Sequence, residues 1–148
     1  MTKKDEAKLF NVLVVDDEEE FREMTIKRLL RKNLQAKGAE NGAVALKMIE
    51  KGHFDVVLLD VQMPEMDGIE ALRRIRDIKP LVEVVLLTGH ASVDSGIEGM
   101  KLGAFDYLMK PMEFEELLEK LRDAYEKRYH QLERIEQAQI KRHMALPG

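Results

Sequence analysis

Three short apolar runs of the chain end in residues that can do chemistry. The first run ends at Asp16 and Asp17, the second at Asp60 and the third at Thr88. A carboxylate buried without a partner is costly, so an acid at the end of an apolar run suggests a position where a ligand uses it. If the three runs are parallel strands, the three carboxylates and the hydroxyl lie together at one edge of the sheet.

Such a cluster favours a magnesium site. Three neighbouring carboxylates repel one another unless one is protonated or a hard cation binds to their oxygens. Mg²⁺ accepts a few carboxylates, keeps several waters and also binds phosphate oxygens. The sequence therefore predicts Mg²⁺ as the cofactor, held by Asp16, Asp17 and Asp60.

A lysine completes a set of groups suited to phosphoryl transfer. Lys110 directly follows the segment Phe105-Asp106-Tyr107-Leu108-Met109, whose end should reach the same edge of the sheet. Its ammonium group can neutralise a phosphoryl group, and Asp60, already ionised, can act as nucleophile without a separate base. We predict phosphoryl transfer onto Asp60, assisted by Mg²⁺, Lys110 and Thr88.

The elements that must position these residues repeat in a simple order. Apolar runs of strand length alternate five times with segments of helical period, which is typical of an α/β protein with a parallel sheet covered on both faces. Strands are predicted at 11–16, 35–38, 56–60, 84–88 and 105–109, and helices at 19–32, 42–50, 68–78, 93–102 and from Glu113 onward. The second strand has little apolar content and is predicted to lie at an edge. In the first helix, an inward-facing stripe is predicted from Phe21, Met24, Ile26, Leu29 and Leu30.

Composition limits the classes of protein. The 148 residues fit one domain with an extension, and 45% are hydrophobic. Charged residues make up 35% of the chain with a net charge of −4, which favours neither nucleic-acid binding nor a membrane surface. The chain has no cysteine, which excludes thiol catalysis and disulfides. Without a recognisable signal or membrane span, it is predicted to be cytoplasmic.

Four motifs resemble the receiver domain of two-component response regulators. They are Val14-Val15-Asp16-Asp17-Glu18, Asp60-Val61-Gln62-Met63-Pro64-Glu65-Met66-Asp67-Gly68, Leu87-Thr88-Gly89-His90 and Tyr107-Leu108-Met109-Lys110-Pro111. They occur in the order of that family, and the resemblance spans roughly residues 10–125. The sequence around Thr88 most resembles that of receivers in enhancer-binding transcription activators.

The resemblance implies a fold, a reaction and its partners. The fold would be flavodoxin-like, with strand order 2-1-3-4-5. Asp60 would accept phosphate from a phosphohistidine on a sensor histidine kinase or a histidine phosphotransfer protein. Asp17 and Asp60 would bind Mg²⁺ directly with the backbone carbonyl of Gln62, and Asp16 partly through water.

The resemblance also assigns roles around the site. Thr88 and Tyr107 would be a switch pair that changes the surface after phosphorylation, and the Lys110–Pro111 bond would be cis. Gln62 and His90 stand two residues after Asp60 and Thr88, where they could tune the lifetime of the phosphoryl group.

The last helix is longer than a receiver needs. Helical pattern continues from Glu113 toward Arg142, which corresponds to about 45 Å at 1.5 Å per residue. We predict a receiver domain at 1–125 and an extension at 126–148 that is a coiled coil or a linker. A weak heptad seam favours homodimerisation slightly over a solvated helix, through Leu118, Leu121, Tyr125, Arg128, Leu132, Ile135, Gln139 and Arg142. The chain would be a stand-alone receiver acting on a partner or a piece of a longer regulator.

Each residue also has an alternative interpretation. A single Asp at a strand end often caps a helix, and an isolated lysine is usually solvated. A tyrosine in a strand is usually a half-buried residue of the core, and His90 is most simply an exposed loop residue. For the whole protein, the alternative is a binding scaffold that is not phosphorylated. A haloacid dehalogenase type phosphohydrolase is less favoured because its general acid would be an Asp at the position of Gln62. A flavin-binding protein of the flavodoxin type is also less favoured, because the acidic loop after the first strand would repel the flavin phosphate.

Overall fold

A computed structural model describes residues 9–63, 66–89 and 93–145. Five strands alternate with five helices, as predicted. The strands are β1 Asn11–Val15, β2 Gln35–Ala39, β3 Val56–Asp60, β4 Glu83–Thr88 and β5 Asp106–Met109. The helices are α1 Glu19–Arg31, α2 Gly42–Lys51, α3 Gly68–Ile78, α4 Val93–Lys101 and α5 Phe114–Ala145.

The sheet is parallel, and its strand order is β2-β1-β3-β4-β5. This confirms the flavodoxin-like fold. Every residue of β3 and β4 is buried, because helices cover both faces of the central strands. The β2 strand lies at an edge, as predicted; its polar residues Gln35 and Lys37 are exposed, and Ala36 and Gly38 between them are partly buried.

Two apolar clusters fill the space between the sheet and the helices. One includes Leu13, Leu59 and Leu86, and the other includes Val14, Leu58 and Leu87 on the opposite face. Neighbouring residues of one strand point to opposite faces, so each central strand contributes to both clusters.

The predicted stripe of α1 is partly wrong. Leu29 is fully buried, but Met24 and Leu30 are 49% and 47% exposed. Thr25 is buried instead. A spacing of four residues from Thr25 to Leu29 follows the helical period, whereas Met24 and Leu30 lie to either side of that line.

The final helix has two parts in different surroundings. Leu117, Leu118, Leu121 and Ala124 are buried against β-sheet residues, and Arg128 is also buried. Residues 132–145 are all exposed. Among the residues described, none of the helices is both long and apolar enough to cross a membrane.

Candidate functional site

The three predicted acids meet at the carboxyl edge of the sheet. Asp60 is the last residue of β3, and Asp16 and Asp17 follow β1 directly. One carboxylate oxygen of each lies within 4.8 Å of the other two. Asp16 and Asp60 are buried, whereas Asp17 is exposed, so the cluster opens to solvent on one side.

Backbone amides orient the two buried carboxylates. Asp16 Oδ1 accepts a hydrogen bond from the Glu18 amide at 2.9 Å, and Asp60 Oδ1 accepts one from the Gln62 amide at 3.0 Å. Neither acid is a helix cap, since α1 begins after Glu18 and α3 begins after Asp67. The alternative interpretation of these two acids as N-caps is therefore wrong.

Lys110 reaches the acids from the end of β5, as predicted. Its Nζ lies 2.8 Å from Asp16 Oδ2, 2.9 Å from Glu18 Oε1 and 4.0 Å from Asp60 Oδ2. The ammonium also lies over the Phe21 ring, 4.4 Å from its centroid. Burial lowers the pKa of Lys110, but hydrogen bonds to Asp16 and Glu18 outweigh burial, so the pKa is raised overall. The Lys110–Pro111 bond is cis.

The pKa of Asp60 is raised from 3.8 to about 6. Burial is the largest cause, and the neighbouring charges of Asp16 and Asp17 act in the same direction. The hydrogen bond from Gln62 and the charge of Lys110 lower the pKa but do not cancel the effect of burial. The ionised Asp60 carboxylate is thus at higher free energy in the folded protein than in water, which favours any cation or group that neutralises it.

This raised pKa predicts how stability depends on pH without metal. Between pH 3.8 and about 6 the unfolded chain loses the Asp60 proton while the folded protein keeps it, so the contribution of Asp60 to stability is lost as pH rises through this window. In the presence of a chelator, Asp60→Asn should therefore be more stable than the parent protein by up to about 3 kcal/mol near pH 8, with a smaller difference near pH 5. Urea unfolding at both pH values measures this. A variant no more stable than the parent at the higher pH would contradict it.

Thr88 and Tyr107 lie on the two strands beyond β3. Thr88 is buried at the end of β4, and its hydroxyl donates to the Leu108 carbonyl at 3.4 Å. Tyr107 is exposed, with 39% of its surface accessible to solvent. A Cβ at Gly96 of α4 would lie 3.6 Å from the Tyr107 ring and 3.8 Å from the Thr88 methyl carbon. The two predicted switch residues therefore border the same point of α4.

Gln62 lies beside the site, as its sequence position suggests. Its side chain is near Gly89, where a Cβ would lie 3.5 Å from Gln62 Oε1. His90 lies outside the described residues, so its assignment stays a prediction.

Sequence reasoning missed three residues that shape this site. Glu18 holds Lys110, Gly96 lies next to Tyr107 and Thr88, and Gly68 begins α3 directly against β3. A Cβ at Gly68 would collide with the backbone of Asp60 and Val61, so this position excludes any side chain. In the sequence, Gly68 is the last residue of the motif that begins at Asp60, but the sequence alone assigned it no role at the site.

The donor set fits a hard divalent cation. Three carboxylate oxygens lie within reach of one ion, and oxygen is the ligand that Mg²⁺ prefers. Lys110 adds a positive charge to one side of the cluster, so the edge combines a cation site with a group that can contact a phosphoryl oxygen.

An open parallel α/β sheet with an acidic carboxyl edge is typical of the receiver class of signalling domains. Residues 12–122 match the family described as response regulator receiver domain. The match covers most of the chain, and the protein belongs to this family.

Curated relatives and solved structures agree with this assignment. The chain is 41% identical over 106 residues to the regulatory protein AtoC of Escherichia coli (strain K12), with 72% of this chain and 23% of AtoC covered. It is 30% identical to the receiver domain of the Francisella response regulator 1452, with a TM-score of 0.74 over 80% of this chain and 98% of that one. NtrX from Brucella abortus, 24% identical, shares the fold over 95% of this chain and 31% of its own, with a TM-score of 0.81. The chain thus spans about a quarter of the length of AtoC.

Proposed function

We propose that the protein is a phosphoacceptor that takes a phosphoryl group onto Asp60 from a phosphohistidine of a sensor histidine kinase or a histidine phosphotransfer protein. One observation carries this proposal: a buried carboxylate with a raised pKa lies between two further acids and a lysine whose Nζ is 4.0 Å away. A carboxylate destabilised in this way is stabilised by a bound cation, and the same cation would offset the charge of a phosphoryl group on Asp60.

The reaction balances with the groups at this edge. An Asp60 carboxylate oxygen forms a bond to phosphorus as the bond from phosphorus to the donor's imidazole nitrogen breaks. The imidazole keeps the electron pair and takes a proton from water. Lys110 neutralises developing charge on the phosphoryl oxygens after leaving part of its contact with Asp16 and Glu18.

Asp16, Asp17 and Asp60 would hold Mg²⁺, together with the backbone carbonyl of Gln62. When bound, Mg²⁺ would offset the negative charge of the acids and of the incoming phosphoryl group. We infer no enzymatic activity beyond the protein's own phosphorylation and dephosphorylation.

Incubation with acetyl phosphate and Mg²⁺ tests this function. The chain should gain the mass of one phosphoryl group, and chelation of the metal should prevent the gain. No gain in mass would favour the alternative of a binding scaffold that works without phosphorylation. A phosphohydrolase is the weaker alternative because residue 62, where its general acid would stand, is Gln.

A switch through Thr88 and Tyr107 would follow phosphorylation. The Thr88 hydroxyl donates to the Leu108 carbonyl, so it must break this bond to reach a phosphoryl oxygen on Asp60. Its movement would free space beside Gly96, into which the Tyr107 ring can turn. Such a change is a shift between two packings of α4 and β5.

Tyr107→Ala should separate phosphorylation from this switch. The variant should accept phosphate as fast as the parent protein because Tyr107 is outside the acid cluster, but the phosphorylation-dependent change in hydrogen exchange of β5 and α4 should largely disappear. Hydrogen exchange with and without beryllofluoride measures it, and Tyr129→Ala is the matched control on α5. An unchanged response in Tyr107→Ala would rule out the role of this ring.

Two residues are proposed to tune the lifetime of the phosphoryl group. Gln62 and His90 would admit or orient the water that hydrolyses it. The position of Gln62 Oε1 beside Gly89 supports this for Gln62. The autodephosphorylation rates of Gln62→Ala and His90→Ala test both roles. An unchanged rate in either variant would exclude the role of that residue.

The output of the protein is proposed to pass through α5. Leu132 and Ile135 of the predicted seam are 39% and 41% exposed, which leaves apolar surface for a second copy of this helix. Sedimentation of the full chain against Leu132→Glu tests dimerisation, and identical monomers would exclude it. The division into a receiver at 1–125 and an extension at 126–148 stays a prediction.

We also propose the kind of regulator to which this receiver belongs. AtoC is named a regulatory protein, and only about a quarter of it is matched here. We infer an effector or partner that acts on transcription, with any contact to DNA made outside these 148 residues. The cytoplasmic location stays a prediction.

A further inference from the structure

Two buried acids lie at the end of the sheet opposite the phosphoacceptor site. Asp55 directly precedes β3, and Glu83 is the first residue of β4. They are 9% and 2% exposed, and the Glu83 amide donates to the Asp55 carbonyl at 3.2 Å. Neither acid has a role in the phosphoryl chemistry, since β3 separates Asp55 from Asp60 by about 17 Å at 3.3 Å per residue.

Helix α5 supplies the cations for both acids. Arg128 Nε donates to Asp55 Oδ1 at 3.1 Å, and Lys127 Nζ lies 3.6 Å from Glu83 Oε2. Asp55 Oδ2 accepts from the Asn11 amide at 2.9 Å, which ties this acid to β1. We call Asp55, Glu83, Lys127 and Arg128 the basal clamp.

The basal clamp has little freedom to rearrange. Arg128 is only 8% exposed, and a buried guanidinium without its carboxylate would carry an uncompensated charge. Among the described residues, Glu83 Oε1 has no hydrogen-bond partner. The cation that offsets the charge of Glu83 is Lys127, through the other oxygen, Oε2. A rotation of α5 about its axis would break both ion pairs together.

An aromatic stack reinforces the same turn of the helix. The Tyr125 ring lies parallel to the Phe10 ring, with centroids 4.6 Å apart and an angle of 8° between the planes. Contacts from positions 125, 127 and 128 thus bind one helical turn to the starts of three strands. From residue 132 onward the helix is exposed.

We propose that the basal clamp fixes the direction in which α5 leaves the receiver body, with Arg128 as the principal positioning residue. The receiver and its helix are then one stiff unit to at least Arg128. A second copy or an effector bound to the exposed part of the helix is held at a defined angle to the body. The proposal does not depend on phosphorylation of Asp60.

Distance measurements on the full chain test this proposal. Because the chain has no cysteine, spin labels can be placed on two introduced cysteines, Lys51→Cys in α2 and Gln137→Cys in α5, both at exposed positions. With no further substitution, the two labels should give a single narrow distance distribution by double electron–electron resonance. Diluting labelled protein in unlabelled protein restricts the measurement to distances within one chain. Arg128→Met should broaden this distribution at least about twofold, because the ion pair that sets the helix direction is lost.

The controls separate positioning from general loss of structure. Arg134→Met removes an exposed arginine from the same helix and should leave the distribution narrow. Arg128→Lys should restore much of the narrowness, and Asp55→Asn with Arg128→Met should broaden it no more than either change alone, because both remove one ion pair. Beryllofluoride binding at Asp60 should persist in all of these variants. If Arg128→Met fails to fold, Lys127→Met provides the same test with a smaller effect, and a distribution as narrow as the parent's in that variant would overturn the proposal.

Discussion

Replacement of Asp60 by Asn should abolish the covalent phosphoryl adduct. The amide keeps the size of the side chain and can still accept the hydrogen bond from the Gln62 amide, but it has no carboxylate oxygen to attack phosphorus. We expect the rate of adduct formation with acetyl phosphate and Mg²⁺ to fall by at least roughly 10³-fold, which is the scale of losing a nucleophile. Intact-mass spectrometry over time measures the rate.

Asp77→Asn is the matched control for this change. Asp77 is an exposed residue of α3, so the substitution makes the same change in charge away from the site. It should leave the rate unchanged. An adduct that forms on Asp60→Asn at the parental rate would show that another group accepts the phosphate.

Replacement of Lys110 by Met should give the next largest loss in the rate of adduct formation. Met retains much of the apolar stem but removes the ammonium, which lies over the Phe21 ring, 2.8 Å from Asp16 Oδ2 and 4.0 Å from Asp60 Oδ2. Loss of one such preorganised charge typically slows a reaction by about 10²–10³-fold. The pKa of Asp60 should also rise further, because the charge of Lys110 lowers it.

Rate measurements at two pH values separate these two effects of Lys110. Part of the loss should be recovered at higher pH as Asp60 ionises, and the remainder reports the missing contact with the phosphoryl group. Lys101→Met, an exposed lysine in the last turn of α4, is the control and should react like the parent protein. A Lys110→Met variant with an unchanged rate would remove this lysine from the chemistry.

The sequence predicted the fold well where burial dictates the residue types. Strands β3 and β4 are covered on both faces, so their residues are apolar up to Asp60 and Thr88 except for Glu83 at the start of β4, and such runs are easily identified. Helix α1 was less predictable. It packs along a narrow line through Thr25 and Leu29, and nothing in the sequence distinguishes a buried Leu29 from an exposed Leu30.

The candidate site was predictable to the extent that strand ends determine it. Asp16, Asp17, Asp60 and Lys110 follow strands of one parallel sheet, so their convergence needs only the strand order. The partners added by tertiary packing were not predictable.

Arg128 shows most clearly what the sequence could not predict. In the sequence it is a polar interruption of a heptad seam, whereas in the structure it is the buried partner of Asp55, 73 residues away. Neither residue has a motif around it, and only the packing of α5 across β3 brings them together.

Mapping the phosphorylated residue tests directly whether Asp60 accepts the phosphoryl group. Borohydride reduction of the labelled protein converts an aspartyl phosphate to homoserine, and peptide mass spectrometry then locates it. Asp60 lies far from Asp16 and Asp17 in the sequence, so proteolysis separates the candidates. We predict homoserine at position 60 after treatment with acetyl phosphate and Mg²⁺. Homoserine at position 16 or 17, or none at any position, would contradict it.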